Sequence, residues 1–146
     1  MTIRFYSKSE THREFSNLAP FKVEIDGVAW PSTEHYYQAQ KFDDAELRER
    51  IRAAEKPIIA KGIADKYKSR IRADWDAVKD EVMYRAVKIK FSTHRKLRDM
   101  LIETGDEDIA ECAPTDYYWG IGKDGTGQNR LGKIMERIRS ELRAGG

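Results

Sequence analysis

The sequence is short of cysteine, of long apolar runs and of proline. Cys112 is the only cysteine in 146 residues, so no internal disulfide can form, which favours a reducing compartment. No apolar run approaches the roughly 18 residues that a membrane-spanning helix needs. The N-terminus is too short and too polar for a secretory signal. These absences predict a soluble, cytoplasmic protein with no membrane partner.

The sequence also has little net charge. Lys and Arg number 27 against 25 Asp and Glu, which leaves a net charge of +2. Since charges of both signs are interspersed, the balance gives no support for a nucleic-acid coat protein and little for a general RNA binder. Charges mixed in this way are typical of solvated helix faces.

Repeats, low-complexity stretches and Pro- or Gly-rich linkers are absent too, so residues 1–146 are predicted to form one domain. A chain of this length buries about two-thirds of its unfolded surface and needs no metal or disulfide for stability. A hairpin is predicted over residues 21–30, where apolar residues flank Asp26-Gly27, a pair that accepts positive φ. Residues 3–6 are expected to be irregular or weakly extended.

Apolar spacing and capping residues predict that the rest is mainly helical. Ser32 is expected to cap a helix that carries Glu34 to Phe42. Asp74 is expected to cap a long helix, and Thr93 is expected to cap a helix that stops at Gly105. The glycine-rich segment 114–128 is predicted to be a loop. The other predicted helices cover residues 44–54, 57–67 and 129–142, and the long helix covers 75–91.

Two residues of the first predicted helix carry opposite charges. Glu34 and Lys41 are seven positions apart, which places them within about 20° of the same helix face. Most pairs of this kind are exposed ion pairs. The neighbouring aromatic residues favour burial, which would make the face reactive.

A second group of polar and aromatic residues opens the glycine-rich loop. Asp116 precedes Tyr117-Tyr118-Trp119, and an ordinary aromatic turn and a functional loop are equally compatible with this composition. Gly120–Gly125 matches G-x-G-x-x-G, but no strand precedes it and too little chain follows for a dinucleotide fold. Its backbone amides could still hold a phosphate. The residues expected to assist are Lys123, Asn129 and Arg130.

Other potential ligands and nucleophiles lack supporting patterns. The three histidines do not have the spacing of zinc ligands, and no P-loop or nucleophile elbow is present, so neither a metal nor a cofactor is predicted. Cys112 is interpreted as a buried structural thiol. Trp75 is either a core anchor or one wall of a slot for a flat base.

A series of motifs runs in order along almost the whole chain. They are Phe5-Tyr6-Ser7, Phe15-Ser16-Asn17, Asp26-Gly27 with Trp30, Glu34-His35-Tyr36-Tyr37-Gln38-Ala39, Lys41-Phe42, Trp75-Asp76, Met83, Lys90-Phe91, Thr104-Gly105-Asp106, Glu111, Asp116, Trp119-Gly120-Ile121-Gly122, Gly127, Asn129, Leu131-Gly132 and Arg139. In this order they resemble the NADAR (YbiA-like) family. One departure is Glu111-Cys112-Ala113-Pro114, where the family pattern is Glu-Ala-Ser-Pro and supplies a hydroxyl.

The resemblance implies a single NADAR domain over residues 1–146, with a compact, mainly α, multi-helical fold. It also implies an N-glycosidase that hydrolyses a base–ribose bond. Two substrate classes follow from it, ADP-ribose on a guanine base in nucleic acid and the ribosylamino-pyrimidine phosphates of riboflavin synthesis. The alternative is a non-catalytic module that binds ADP-ribose or a nucleotide. No obligate protein partner is expected.

The resemblance further assigns the site residues. Glu34 would act as acid and base, Asp116 would orient ribose hydroxyls or water, and Lys41 could form an imine with the sugar. Trp75 and Trp119 would stack on the base or the ribose. The remaining substrate-binding residues would be Tyr37, Asn17, Gly120, Gly122 and Asn129.

Overall fold

The computed structural model describes residues 1–145, which are mainly helical with four short strands. The strands are β1 (Thr2–Phe5), β2 (Val23–Ile25), β3 (Val28–Trp30) and β4 (Asp108–Glu111). The helices are α1 (Thr33–Ala39), α2 (Ala45–Arg52), α3 (Pro57–Lys66), α4 (Trp75–Thr93), α5 (Arg95–Glu103) and α6 (Arg130–Arg143). The mainly α prediction with a small hairpin is therefore confirmed.

The described residues divide into two compact units, residues 17–90 and residues 1–16 with 91–145. The prediction of one domain over residues 1–146 stays a prediction. None of the helices within residues 1–145 combines the length and the apolar character that crossing a bilayer requires.

The hairpin of the 17–90 unit forms as the sequence predicts. β2 and β3 are antiparallel, with Val23 opposite Trp30 and Ile25 opposite Val28. The turn residues Asp26 and Gly27 have φ values of 54° and 77°, so both take the left-handed conformation that a tight two-residue turn requires.

The end of α1 corrects the sequence prediction. The Ser32 side chain caps its start by accepting from the amide of His35, as expected. The helix ends at Ala39, because the amides of Lys41 and Phe42 bond three residues back in tight turns. Lys41 thus follows the helix, and the prediction that it shares a helix face with Glu34 is wrong.

The core of the 17–90 unit is apolar. The buried faces of α1, α2 and α3 surround it together with the hairpin, and the Trp30 and Tyr36 rings pack edge to face at 5.5 Å. Its buried residues are Val23, Ile25, Trp30, Tyr36, Ala39, Phe42, Leu47, Ile51, Ala60, Ala64 and Ala86.

The other unit contains a two-stranded parallel sheet that the sequence does not predict. β1 pairs with β4, with Ile3 beside Ile109 and Phe5 beside Glu111. Four-residue strands more than a hundred residues apart carry too little alternation to be recognised locally. A second correction concerns α5, whose N-cap is His94, because Thr93 is the last residue of α4. Gly105 follows the end of α5 with φ 66°, as predicted.

Candidate active site

In the 17–90 unit, α1 buries a hydrogen-bonded pair of polar side chains. Gln38 Nε2 donates to Glu34 Oε2 at 2.7 Å, one helical turn away. The two side chains are only 3% and 8% exposed, so the exposed ion pair considered for Glu34 is wrong. The other amide oxygen atom, Gln38 Oε1, is buried and has no partner among the described residues. Gln38 therefore holds the carboxylate and leaves one acceptor unused.

Lys41 lies in the turn after α1, beside aromatic rings. Its Nζ is 5.5 Å from the centre of the Tyr37 ring, and that ring is 5.2 Å from the ring of Trp75. Tyr37 and Trp75 are both buried. The backbone also fixes the turn, because the amide of Arg72 donates to the carbonyl of Lys41 at 2.8 Å. The structure thus brings three predicted site residues, Lys41, Tyr37 and Trp75, together.

The surroundings of Lys41 change its acidity. Burial lowers the pKa of the Lys41 ammonium from its usual 10.5, and the negative charge of Glu34 opposes that shift. Burial is the larger effect, so a greater fraction of Lys41 is neutral than of an exposed lysine. A neutral amine is a nucleophile, which is the property that imine formation needs.

His35 and Asn17 have structural contacts in the same unit. The Nδ1 atom of His35 lies 2.7 Å from Ser32 Oγ, and its Nε2 atom lies 2.9 Å from the carbonyl oxygen of Ala54. Burial lowers the pKa of the His35 imidazole. Asn17 accepts from Thr33 Oγ1 at 2.8 Å and contacts the sulfur of Met83. Both residues hold the start of α1 in place, and the substrate contact expected of Asn17 stays a prediction.

In the unit of residues 1–16 and 91–145, Asp116 organises the aromatic turn. Its Oδ1 accepts from the amides of Trp119 at 2.8 Å and Tyr118 at 3.2 Å. This is the ordinary side-chain turn bond that the sequence suggested. The Tyr118 and Trp119 rings pack edge to face at 4.9 Å. The catalytic role of Asp116 and the stacking role of Trp119 stay predictions.

The amides of the glycine-rich loop are mostly used within it. The amide of Ile121 donates to the carbonyl of Glu111, the amide of Gly127 donates to the carbonyl of Ile121, and the amide of Asn129 donates to the carbonyl of Gly120. The Asn129 side chain bridges the amide of Glu111 and the carbonyl of Ile109. A broad phosphate cup made from successive amides is therefore not formed. The substrate contacts expected of Gly120, Gly122 and Asn129 stay predictions.

The sequence does not reveal that Glu111 is a buried acid with a raised pKa. Burial raises the pKa of its carboxyl from 4.5 to about 7. One carboxyl oxygen accepts from the amide of Ala113 at 3.1 Å, and the other is buried without a partner among the described residues. Gly120 lies directly against it, since a Cβ there would be 2.0 Å from Glu111 Oε2. Only the pairing of β4 and the path of the loop create this environment.

Two further sequence interpretations concern metals and the thiol. Among residues 1–145, no cluster of three His, Cys, Asp or Glu side chains could hold a metal ion. Cys112 is half-buried rather than fully buried, so the prediction of a buried thiol is wrong in degree. Its sulfur lies 3.4 Å from the carbonyl of Ala110.

Comparison with known proteins gives matches along nearly the whole chain. The N-glycosidase YbiA of Escherichia coli is 40% identical over 140 residues, which are 96% of this chain and 88% of that protein. The NMR structure of E. coli YbiA matches with a TM-score of 0.91 at 39% identity and covers 99% of this chain and 86% of its own.

Two other relatives extend the comparison. An N-glycosidase of Nostoc punctiforme is 42% identical over 146 residues, which are 98% of this chain and 94% of that protein. A riboflavin biosynthesis protein of Vibrio vulnificus is 41% identical over 96% of this chain, although the match covers 38% of that protein. The model of the NADAR domain matches residues 4–143. The chain therefore belongs to the NADAR family.

Proposed function

We propose that Glu34 and Lys41 are the reacting groups of an N-glycosidase that cleaves a base–ribose bond. The protein is a hydrolase of N-glycosyl bonds, like relatives that are 40% and 42% identical over nearly its full length. The observation that carries the assignment of residues is the buried Glu34 carboxylate, held by Gln38, whose charge acts on a lysine with a pKa lowered by burial.

The chemistry of the bond explains why these groups suit it. Cleavage builds positive charge on the sugar C1 and ring oxygen and negative charge on the departing nitrogen. A carboxyl group can donate a proton to that nitrogen and afterwards accept one from water, which is the logic of glycoside hydrolysis. Because Gln38 holds Glu34 in one orientation, little reorganisation is needed during the reaction.

Lys41 adds a covalent route for a ribosylamine. The sugar ring opens to an imine, the neutral Lys41 amine adds to C1, and the original amine leaves with a proton from Glu34. Water then adds to the new imine, its C1–N bond breaks, and the free sugar and Lys41 are restored. The net change is one water consumed, with one base and one sugar released.

Gln38 and Trp75 would assist around the reacting atoms. The unused Gln38 Oε1 is buried and can accept a hydrogen bond from an enclosed water molecule. Trp75 and Tyr37 form an aromatic wall beside Lys41 that excludes water and strengthens electrostatic effects. The orienting role proposed for Asp116 rests on the family resemblance alone.

The substrate class is proposed to be a ribosylamino-pyrimidine phosphate. The riboflavin name of the Vibrio vulnificus relative supports this choice. A test compares hydrolysis of such a phosphate with hydrolysis of ADP-ribosyl-guanine in DNA, with the same enzyme and buffer. Release of the pyrimidine amine with the higher kcat/KM is expected. A higher kcat/KM for ADP-ribosyl-guanine would make that compound the better candidate substrate. Binding of either compound without turnover would favour the non-catalytic ADP-ribose module.

A further inference from the structure

A cavity in the unit of residues 1–16 and 91–145 contains none of the proposed reacting groups, and of the predicted substrate-binding residues only Gly122 lines it. Its volume is about 330 Å³, within the range of small-molecule sites. The end of β1 and the glycine-rich loop form its walls. The lining residues with polar or charged side chains are Arg4, Tyr6, Ser9, Cys112 and Lys123, and Gly122 contributes backbone.

Two positive charges at this cavity form no ion pair with the residues that the structure describes. Arg4 and Lys123 are exposed, and neither side chain bonds another described residue. Several other surface cations do bind acids, as Arg72 binds Asp74 at 2.6 Å. The acid next in sequence to Lys123, Asp124, accepts from Thr126 instead. The cavity therefore has an excess of positive charge, which attracts anions.

A backbone donor also lies in the cavity wall. The amides of Ile121 and Lys123 donate to the carbonyls of Glu111 and Pro114, but the amide of Gly122 between them donates to no other described residue. Gly122 has φ 72°. The Tyr117 ring occupies the space that a side chain would need, since a Cβ on Gly122 would lie 2.3 Å from a carbon atom of that ring. This position thus requires glycine, and its N–H group has no acceptor among the described residues.

We propose that this cavity binds the phosphate or diphosphate group of a small organic phosphate through Arg4, Lys123 and the amide of Gly122. A guanidinium group can bind two phosphate oxygens at once, and an ammonium group adds a second charge. Tyr6 offers a partly buried ring beside the anion. A single carboxylate would leave one of the two cations unneutralised, so a group with more than one negative charge suits the cavity better.

Cys112 provides a direct measure of whether the cavity is occupied. It is the only thiol of the chain, it is half-buried, and it lines the cavity. Its alkylation by neutral iodoacetamide can be followed by intact mass with and without inorganic pyrophosphate at constant ionic strength. Saturating pyrophosphate is expected to slow alkylation severalfold, and an equal concentration of sulfate is expected to slow it much less.

Variants separate a built site from general charge screening. Arg4→Gln and Lys123→Gln should each raise the pyrophosphate concentration needed for protection roughly tenfold or more, because each removes a charge-assisted bond. Arg98→Gln and Lys133→Gln change exposed cations of the same unit that do not line the cavity and should leave protection unchanged. Thermal unfolding checks that all four variants fold like the wild type.

The outcomes decide the proposal without reference to turnover. Protection that is lost in Arg4→Gln and Lys123→Gln but kept in the two controls would support the site. No protection of the wild type, equal protection by sulfate, or equal protection in all variants would overturn it. Hydrolysis of the N-glycoside, measured in parallel, tests Glu34 and Lys41 separately, so failure of one proposal leaves the other intact.

Discussion

Gln38 donates to the carboxylate of Glu34 across one turn of α1, Nε2 to Oε2 at 2.7 Å, and both side chains are buried. A buried carboxylate needs such a partner, because burial of an unpaired charge is costly. The bond therefore keeps Glu34 in one orientation, where it can serve as the acid and base of the proposed reaction.

Replacement of this carboxylate should remove activity and keep the fold. Glu34→Gln is expected to lower kcat by about 10²–10⁴-fold, the usual cost of losing an acid–base group. The variant should still fold, because its amide oxygen can accept the bond from Gln38. Turnover and thermal unfolding are the measurements. Glu24→Gln, on the exposed side of β2, is the matched control, and near-normal turnover of Glu34→Gln would rule out the assignment.

Lys41 is expected to form a covalent adduct during turnover. Borohydride should reduce the imine and add a sugar fragment to Lys41, detectable by peptide mass spectrometry. Lys41→Arg keeps the positive charge but removes the nucleophile, so no adduct should form, whereas the exposed Lys56→Arg should be labelled like the wild type. Absence of any adduct under single-turnover conditions would indicate direct attack by water.

The pH dependence of kcat should also reflect Lys41. The imine route needs the neutral amine, so the rate should rise with pH as Lys41 loses its proton. Because burial lowers the pKa of Lys41, the midpoint of this rise should lie below 10.5. A midpoint at or above 10.5, or the same rise in Lys41→Arg, would contradict the assignment.

Glu111 should make stability depend on pH between about 5 and 8. Its pKa is raised in the folded state from 4.5 to about 7, so between these values the folded chain holds a proton that the unfolded chain has lost. The stability from this proton is complete below pH 4.5 and is lost as pH rises through about 7, at most about 3 kcal/mol in total.

The test for Glu111 is urea unfolding of the wild type and Glu111→Gln at pH 5 and pH 8. The variant cannot ionise, so the wild type should lose stability relative to it between the two pH values. Any constant effect of the new amide cancels in this comparison. An equal difference between the two proteins at both pH values would show that Glu111 titrates normally.

Gly120 should not tolerate a side chain. A Cβ there would lie 2.6 Å from the carbonyl oxygen of Glu111, a backbone atom that cannot swing away. Gly120→Ala is expected to lower the free energy of unfolding by about 1–3 kcal/mol. Gly62→Ala, in α3 with no atom within 4 Å of a new Cβ, should instead raise it by about 0.5–1 kcal/mol. Equal urea midpoints for Gly120→Ala and Gly62→Ala would contradict the expected difference in their free energies of unfolding.

Much of the fold and part of the site can be predicted from local patterns. Asp26-Gly27 predicts its hairpin because the turn needs two residues that accept positive φ. Ser32 predicts the start of α1 because its hydroxyl can accept from an amide within the first turn. The resemblance to the NADAR family names Glu34 and Lys41 as candidate reacting groups, from motifs that lie close together in sequence, and that assignment stays a prediction.

Local patterns also have clear limits. They place Lys41 on α1, although the helix ends at Ala39, because the turn that follows depends on contacts such as that of the Arg72 amide with the Lys41 carbonyl. They miss the pairing of β1 with β4, because neither short strand shows its partner. Such pairing depends on residues far apart in the chain.

The sequence alone therefore determined the helical class, the hairpin and the family, and it named the candidate site residues, since these depend on residue type and short spacing. Tertiary structure decided the properties of those side chains. Burial lowers the pKa of Lys41 and raises that of Glu111, and it makes the Gln38–Glu34 bond necessary. The physical reason is that desolvation depends on every element packed around a group, and distant parts of the chain supply those elements.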